Sequence, residues 1–193
     1  MSTGSTALEF LQQRRSVPCA NLQPPGPSAE QIEQIVALSL RVPDHGKLAP
    51  WRVLALQQES KLRFADWLYA RNCARDPEAT ESILQKDPQR FRQSPLVLVV
   101  ISTITSTERI PEQEQLLSGG CVCYTLLLAA AALGYSAQWL TGWAAYDAEV
   151  AARLGLSAQE KVLGFIHIGS ANEPAPERAR PSLDAKLSFL RLD

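Results

Sequence analysis

The sequence predicts a mixed α/β or α+β fold, because segments typical of helices and of strands are interspersed along its 193 residues. The run PLVLVVIS at 95–102 is short, apolar and rich in β-branched residues, which is typical of a strand buried on both faces. The segment 113–133 is apolar on nearly all sides, which is typical of a helix inside a core or an interface. The chain length indicates one domain over residues 1–193.

Two helices are predicted before the first strand. Apolar residues at helical spacing predict a helix over 6–15, and Pro18 prevents its continuation. Ser28 and Gln31 form a capping-box pattern at the start of the second helix. That helix ends before Pro43, because the residue preceding a proline avoids the α region.

The remaining elements alternate between strands and helices. In chain order they are a strand at 51–58, helices at 59–74 and 78–94, the strand at 95–102, the helix at 113–133, a strand at 136–142, a short helix at 148–155 and a strand at 161–170. Gly134 and Gly155 stand where a left-handed residue ends a helix, and Asp147 is a candidate N-cap. The tail after residue 170 is proline-rich and ends with apolar residues, which we expect to pack on another surface.

The composition argues against several classes of function. A formal net charge of −1 gives no electrostatic reason to expect nucleic acid or an acidic membrane surface as a partner. We expect no signal peptide, and the longest apolar stretch, 121–134, is too short to span a bilayer. The four cysteines and two histidines form no disulfide or metal-binding pattern. We therefore expect a cytoplasmic protein with reduced thiols and no metal site.

The usual catalytic signatures do not occur in this sequence. It contains no G-x-S-x-G elbow, Walker loop or G-x-G-x-x-G motif, which argues against hydrolase, P-loop and Rossmann functions. Ser118, Gly119 and Gly120 near the start of the long helix have two interpretations. Their backbone amides could approach an anion, or the glycines could allow close helix packing.

Three small basic clusters are the most informative polar feature. They are Arg14 and Arg15 with Ser16, Arg41 with His45, and Arg178 with Arg180. Arginine near a helix C-terminus is favoured by the helix dipole, so each cluster alone is compatible with a solvated surface. Guanidinium groups also supply forked donors for phosphate. Together, in a nearly neutral chain, the clusters favour a compact phosphorylated ligand.

The chain resembles the nitroreductase family of FMN-dependent oxidoreductases, most closely its compact YdjA-like subgroup. The segments that carry the resemblance are RRSVP (14–18), RVPDHGKLAPW (41–51), GGCVCYTLLLAAAALGYSAQWLTG (119–142) and VLGFIHIGSANEPAPERARP (162–181). The resemblance covers nearly the whole chain, in order. It implies an α+β fold with a central mixed or antiparallel sheet flanked by helices, in an intertwined homodimer with FMN at the subunit interface.

The resemblance also implies a function and a set of binding residues. The chain would be an FMN-dependent NAD(P)H oxidoreductase that passes a hydride from NAD(P)H through FMN N5 to a nitroaromatic, a quinone or a related small-molecule acceptor. No catalytic acid or base is implied. The implied FMN-binding residues are Arg14, Arg15 and Ser16 with Arg178 or Arg180 for the phosphate and ribityl chain, Arg41 and His45 from the partner subunit, and Trp139, Leu140 and Thr141 along the flavin ring.

Two positions depart from the family pattern. Ala49 stands where the family often has Asn or Gln, and Leu140 stands where close relatives have Arg. Neither side chain can donate a hydrogen bond to flavin or substrate. Two alternatives therefore remain: a flavin enzyme of the same fold with other chemistry, such as flavin fragmentation or dehalogenation, or a non-catalytic binding protein.

Overall fold

A four-stranded antiparallel sheet forms the centre of the computed structural model, which describes residues 7–173 and 175–191. Its strands are β1 (Trp51–Gln57), β2 (Leu96–Ser102), β3 (Ser136–Leu140) and β4 (Lys161–Gly169). Their order across the sheet is β1-β2-β4-β3, and every neighbouring pair is antiparallel. The predicted α+β class is confirmed, with the antiparallel form of the sheet.

The central strand β2 is buried along its whole length, as its unbroken apolar sequence predicts. β3 is an edge strand, and the segment that follows the first helix lies along it. The Val17 N–H donates to the Ala137 carbonyl at 3.1 Å, and the Cys19 N–H donates to Gln138 Oε1 at 2.7 Å. These bonds hold the first basic cluster beside β3.

Six α-helices occur among the described residues: α1 (Ala7–Gln13), α2 (Ala29–Ser39), α3 (Gln58–Arg75), α4 (Glu81–Gln93), α5 (Glu112–Ala132) and α6 (Ala148–Arg153). The capping box is present, since Ser28 Oγ accepts from the Gln31 N–H and Gln31 Oε1 accepts from the Ser28 N–H. Asp147 caps α6 through the Val150 N–H. α1 ends two residues before the predicted boundary at residue 15, and Thr6, its predicted start, lies outside the described residues.

Apolar side chains fill both faces of the sheet. α2 and α5 cover one face, where Leu98, Val100 and Ile166 are buried. α3 and α4 cover the other face, over Val97 and Phe165. The strand side chains point alternately to the two faces, so β2 contributes to both layers.

Gly119 allows α5 to approach the sheet closely. A Cβ atom at this position would lie 2.3 Å from Leu163 Cδ1. Residues 118–120 are two turns into α5, where backbone amides are bonded within the helix. Close packing is therefore the role of Gly119, whereas a Cβ atom at Gly120 would meet nothing within 4 Å. The alternative of an anion held by their amides is wrong.

α5 has the length predicted for the helix 113–133 and is displaced by one residue. Its 21 residues have the length and composition of a membrane-crossing helix, but half of its most apolar window is buried inside the protein. Leu117 and Tyr124 remain exposed on the side away from the sheet, at 63% and 42%. One side of α5 thus belongs to the core, and the other remains largely exposed in the described chain.

The C-terminal tail is likewise exposed in the described chain. Its large apolar side chains are 46–84% exposed and comprise Leu183, Leu187, Phe189 and Leu190. We expected these side chains to pack on another surface. In the described part of this chain they do not pack on one. One helical turn, closed by the Leu187 N–H on the Leu183 carbonyl, orders part of the segment.

Candidate functional site

A cavity of about 540 Å³ lies where the chain leaves α1. Its lining includes Arg14 and Arg15, Leu127 and Ala131 from the C-terminal half of α5, and Glu177 from the tail. The Arg14 guanidinium lies over the ring of Tyr124, 5.6 Å from its centroid. Ser16 is exposed next to this cavity and does not line it. The structure therefore places two of the three predicted residues of the first cluster on one concave surface.

Arg15 has a polar atom that lacks a hydrogen-bond partner. Its side chain is 15% exposed, and Nη1 lies 2.8 Å from Glu177 Oε1. The orientation is not that of a hydrogen bond, so buried Nη1 makes an ion pair but no directed bond. A buried donor without an acceptor is costly. A negatively charged group with several oxygens in the cavity would satisfy it.

Glu177 links the first basic cluster to the tail. Arg180 Nη2 lies 3.5 Å from the same Oε1 that faces Arg15, whereas Arg178 reaches this oxygen with its backbone N–H at 2.9 Å. The Arg178 N–H and then the Arg15 guanidinium hold the pKa of the Glu177 carboxyl below its usual value. Arg15 and Arg180 thus both lie close to the Glu177 carboxylate. Glu177 was not among the residues predicted from the sequence. The only signal for it was an acidic residue directly before the two tail arginines.

Trp139 is held on edge strand β3 by two contacts. Its Nε1–H donates to the Leu163 carbonyl at 3.2 Å. A Cβ atom at Gly164 would lie 1.9 Å from Nε1, so only glycine leaves room for the indole. Leu163 is the extra residue of a bulge in β4 opposite Val100 and Ile101, which explains the local irregularity. A glycine inside the strand pattern of 161–170 was the available signal for this close approach.

The chain turns sharply after β3. Leu140 is half-buried at the end of the strand, and Thr141 is exposed. Gly142 has φ +69° and ψ −172°, a backbone conformation that is essentially restricted to glycine. This residue fixes the direction in which the backbone of Leu140 and Thr141 faces.

Arg41 and His45 lie on an exposed loop at the other end of α5. His45 Nδ1 is 2.6 Å from Glu114 Oε2, in the first turn of that helix. Glu114 and Leu127 are separated by about 20 Å along the helix, at roughly 1.5 Å per residue. Within one chain, a single phosphate group therefore cannot contact both this loop and the cavity beside Arg15.

A separate polar cluster is buried under the sheet, on the side of α3 and α4. His167 is 1% exposed, and its Nδ1 lies 3.0 Å from Ser94 Oγ. Burial, followed by the nearby Arg90 charge, lowers the pKa of His167 to about 3. Burial likewise raises the pKa of the neighbouring Cys19 thiol to about 12. Both groups are neutral near pH 7, so the cluster contributes to packing and offers no reactive thiolate.

No metal-binding group is present in residues 7–173 or 175–191. No set of three or more His, Cys, Asp or Glu side chains is arranged to hold an ion. All four cysteines are free. The positive charge of Arg14 and Arg15 at the cavity favours an organic anion.

Known proteins are similar to this chain in sequence and in fold. The model of the nitroreductase family matches residues 11–170. A relative from Haemophilus influenzae, "Putative NAD(P)H nitroreductase", is 33% identical over 175 residues, covering 90% of this chain and 93% of its own. A second, "Putative NAD(P)H nitroreductase YdjA" from Escherichia coli K12, is 29% identical over 164 residues, covering 85% and 87%.

A solved structure gives the same result for the fold. The FMN and NADPH-dependent nitroreductase NfnB from sphigopyxis sp. strain HMH superposes with a TM-score of 0.78 at 19% identity, over 97% of this chain and all of that chain. Likeness at this identity establishes the shared architecture. The family match over most of the chain establishes family membership as well. It confirms the resemblance to the nitroreductase family that the sequence motifs indicate. The chain belongs to the nitroreductase family.

Proposed function

We propose that this protein is an FMN-dependent NAD(P)H oxidoreductase, in the cytoplasm, that reduces a nitroaromatic, a quinone or a related small molecule. The observation that carries the proposal is Arg15, whose buried Nη1 is paired with Glu177 without a directed hydrogen bond, beside a cavity of about 540 Å³. The names of a relative and of a structural neighbour, which include NAD(P)H and FMN and NADPH dependence, support it. When bound, FMN supplies the hydride-transfer chemistry. The chain's own residues bind the cofactor, orient it and restrict the access of water.

The residues present fit the phosphate of FMN. Arg14 and Arg15 line the cavity, and Ser16 stands at its margin. Of the two tail arginines, we favour Arg180, because its guanidinium already lies near Glu177 and Arg15, whereas Arg178 contributes its backbone N–H. Guanidinium groups bind phosphate oxygens through paired, charge-assisted hydrogen bonds. A phosphate in this cavity would supply the acceptor that Arg15 Nη1 lacks.

The flavin ring would lie along the end of β3. Trp139, held by the Leu163 carbonyl, offers an aromatic surface there. Leu140 and Thr141 would contribute mainly main-chain groups, in a direction fixed by Gly142. An N–H near the ring would stabilise negative charge on the reduced flavin. No acid or base side chain is required for this role.

The proposed assembly is a homodimer with FMN at the subunit interface. The outer side of α5, with Leu117 and Tyr124, and the apolar tail both remain exposed in the described part of one chain. Arg41 and His45 lie about 20 Å along α5 from the cavity, so they can serve an FMN phosphate only from a second chain. A two-fold arrangement with the α5 helices antiparallel would bring one chain's loop towards the other chain's cavity.

The test of the proposal begins with the purified protein. We expect it to be yellow, to release FMN and not FAD on heating, and to sediment as a dimer. It should oxidise NADH or NADPH in the presence of nitroaromatic or quinone acceptors. Colourless protein that takes up no added FMN would overturn the proposal and favour a binding protein. Bound FMN without acceptor-dependent NAD(P)H oxidation would instead favour another flavin chemistry, as Ala49 and Leu140 allow.

A further inference from the structure

The loop that carries Arg41 and His45 has an unusual backbone. Gly46 has φ +72°, Lys47 has φ +56° and Ala49 has φ +46°. Side chains other than glycine rarely adopt this left-handed region, so Lys47 and Ala49 are strained. A strained loop keeps one conformation only when surrounding groups hold it there.

Asp44 is the side chain that holds this backbone. Its Oδ1 accepts from the Leu48 N–H at 3.2 Å, and its Oδ2 accepts from the Ala49 N–H at 2.8 Å. Both carboxylate oxygens are therefore engaged by the strained segment itself. A charged acceptor makes stronger bonds to backbone N–H groups than a neutral one does.

The base of the loop is anchored independently of Asp44. Ser118 Oγ donates to the Pro43 carbonyl at 2.7 Å and accepts from Trp51 Nε1–H at 3.1 Å. At Gly46, a Cβ atom would lie 2.3 Å from Ile110 Cδ1, so the loop contacts this side chain closely. With both ends fixed, the conformation of residues 44–49 decides where His45 is presented.

We propose that Asp44 is a positioning residue for cofactor binding. Its carboxylate holds residues 44–49 in one conformation, in which Gly46, Lys47 and Ala49 are left-handed. In this way it directs His45 towards the FMN bound by the partner subunit. This inference rests on the proposed function. Asp44 is assigned to positioning and not to contact with FMN, since the bonds shown for its two oxygens run to the Leu48 and Ala49 amides of its own loop.

The decisive variant is Asp44→Asn, which keeps the shape and presents an NH₂ group to one of the two amides. We expect FMN to bind about tenfold more weakly, the effect of losing one charge-assisted bond. Flavin fluorescence titration measures this dissociation constant. The matched control is Glu33→Gln, which removes one negative charge from the exposed surface of α2 and is expected to bind FMN as wild type does.

Two further measurements separate positioning from general destabilisation. The Leu48 and Ala49 amides should exchange with solvent faster in Asp44→Asn, while amides of β2 remain protected. Adding Ala49→Gly should restore part of the FMN affinity, because glycine adopts positive φ without strain. A global loss of stability would instead lower the protection of the β2 amides together with that of Leu48 and Ala49.

Wild type and His45→Ala are the reference proteins. Suppose that wild type binds FMN and that His45→Ala binds it more weakly. If Asp44→Asn then binds FMN with the affinity of wild type, the inference is overturned and the proposed function stands. If wild type binds no FMN, the proposed function and the inference both fall. If His45→Ala binds FMN as wild type does, the loop has no role at the cofactor, and the inference is overturned while the proposed function stands.

Discussion

Acidification is expected to destabilise the protein through His167, well above the range in which carboxyl groups titrate. The buried imidazole keeps a pKa of about 3 in the folded protein, against an ordinary value of 6.5. Between these values the unfolded chain binds a proton that the folded chain excludes. The free energy of unfolding therefore falls as the pH falls through 6.5, and stability is highest above it.

The magnitude follows from the difference between the two pKa values. Each pKa unit corresponds to about 1.4 kcal/mol, so lowering the pH from 6.5 to about 5 removes roughly 2 kcal/mol of stability. The full interval down to the folded pKa is worth on the order of 5 kcal/mol. Carboxyl groups act at lower pH: Arg52 lowers the pKa of Glu160 from 4.5 to about 2, so the contribution of Glu160 is lost as the pH falls between these two values. The interval above about pH 5 thus isolates the histidine.

The assay is urea unfolding followed by tryptophan fluorescence, at a series of pH values and a fixed protein concentration. His167→Phe is expected to lower stability at neutral pH yet to lose the dependence between about pH 7 and pH 5. The difference between wild type and variant removes any pH dependence that bound FMN contributes. His45→Gln is the control, since His45 is the other histidine and is exposed. An unchanged slope in His167→Phe would refute the reasoning.

Three other predictions concern the site and the assembly. Arg14→Ala combined with Arg15→Ala should weaken FMN binding by on the order of several kcal/mol in a fluorescence titration, because two charge-assisted contacts are lost. Gly164→Ala should displace the Trp139 indole and change the absorption and affinity of bound FMN; in a Trp139→Ala background the same change should have little further effect. Leu117→Asp should shift the dimer towards monomer in sedimentation, because it places a charge on the outer side of α5.

Controls for these variants come from the same chain. Arg63→Ala removes an exposed arginine paired within α3 and should leave FMN affinity unchanged. Leu62→Asp places the same charge on a leucine that is 44% exposed on α3 and should leave the dimer intact. FMN affinity retained in the double arginine variant would refute the assignment of the first cluster. A Leu117→Asp protein that sediments like wild type would place the subunit contact elsewhere.

Local patterns were sufficient to predict most elements and several of their ends. The capping box of Ser28 and the burial of residues 95–102 depend on neighbours in sequence, and both predictions are confirmed. Family resemblance supplied the candidate site residues, whose role in binding FMN stays a prediction. Glu177 beside Arg15 and Gly164 under Trp139 were missed, because each contact joins segments far apart in the chain. Such pairs follow from strand order and register, which periodicity does not encode.

The length of α5 has a consequence for the proposed dimer. One end of this helix pairs with the loop of His45, and the other end lines the cavity beside Arg15. Each α5 would therefore take part in both cofactor sites, contributing a different end to each. Because a helix packed against a sheet moves as a rigid rod, a shift along its axis would alter both sites together. Substitutions in the middle of α5 should accordingly change FMN affinity even where they contact neither the loop nor the cavity.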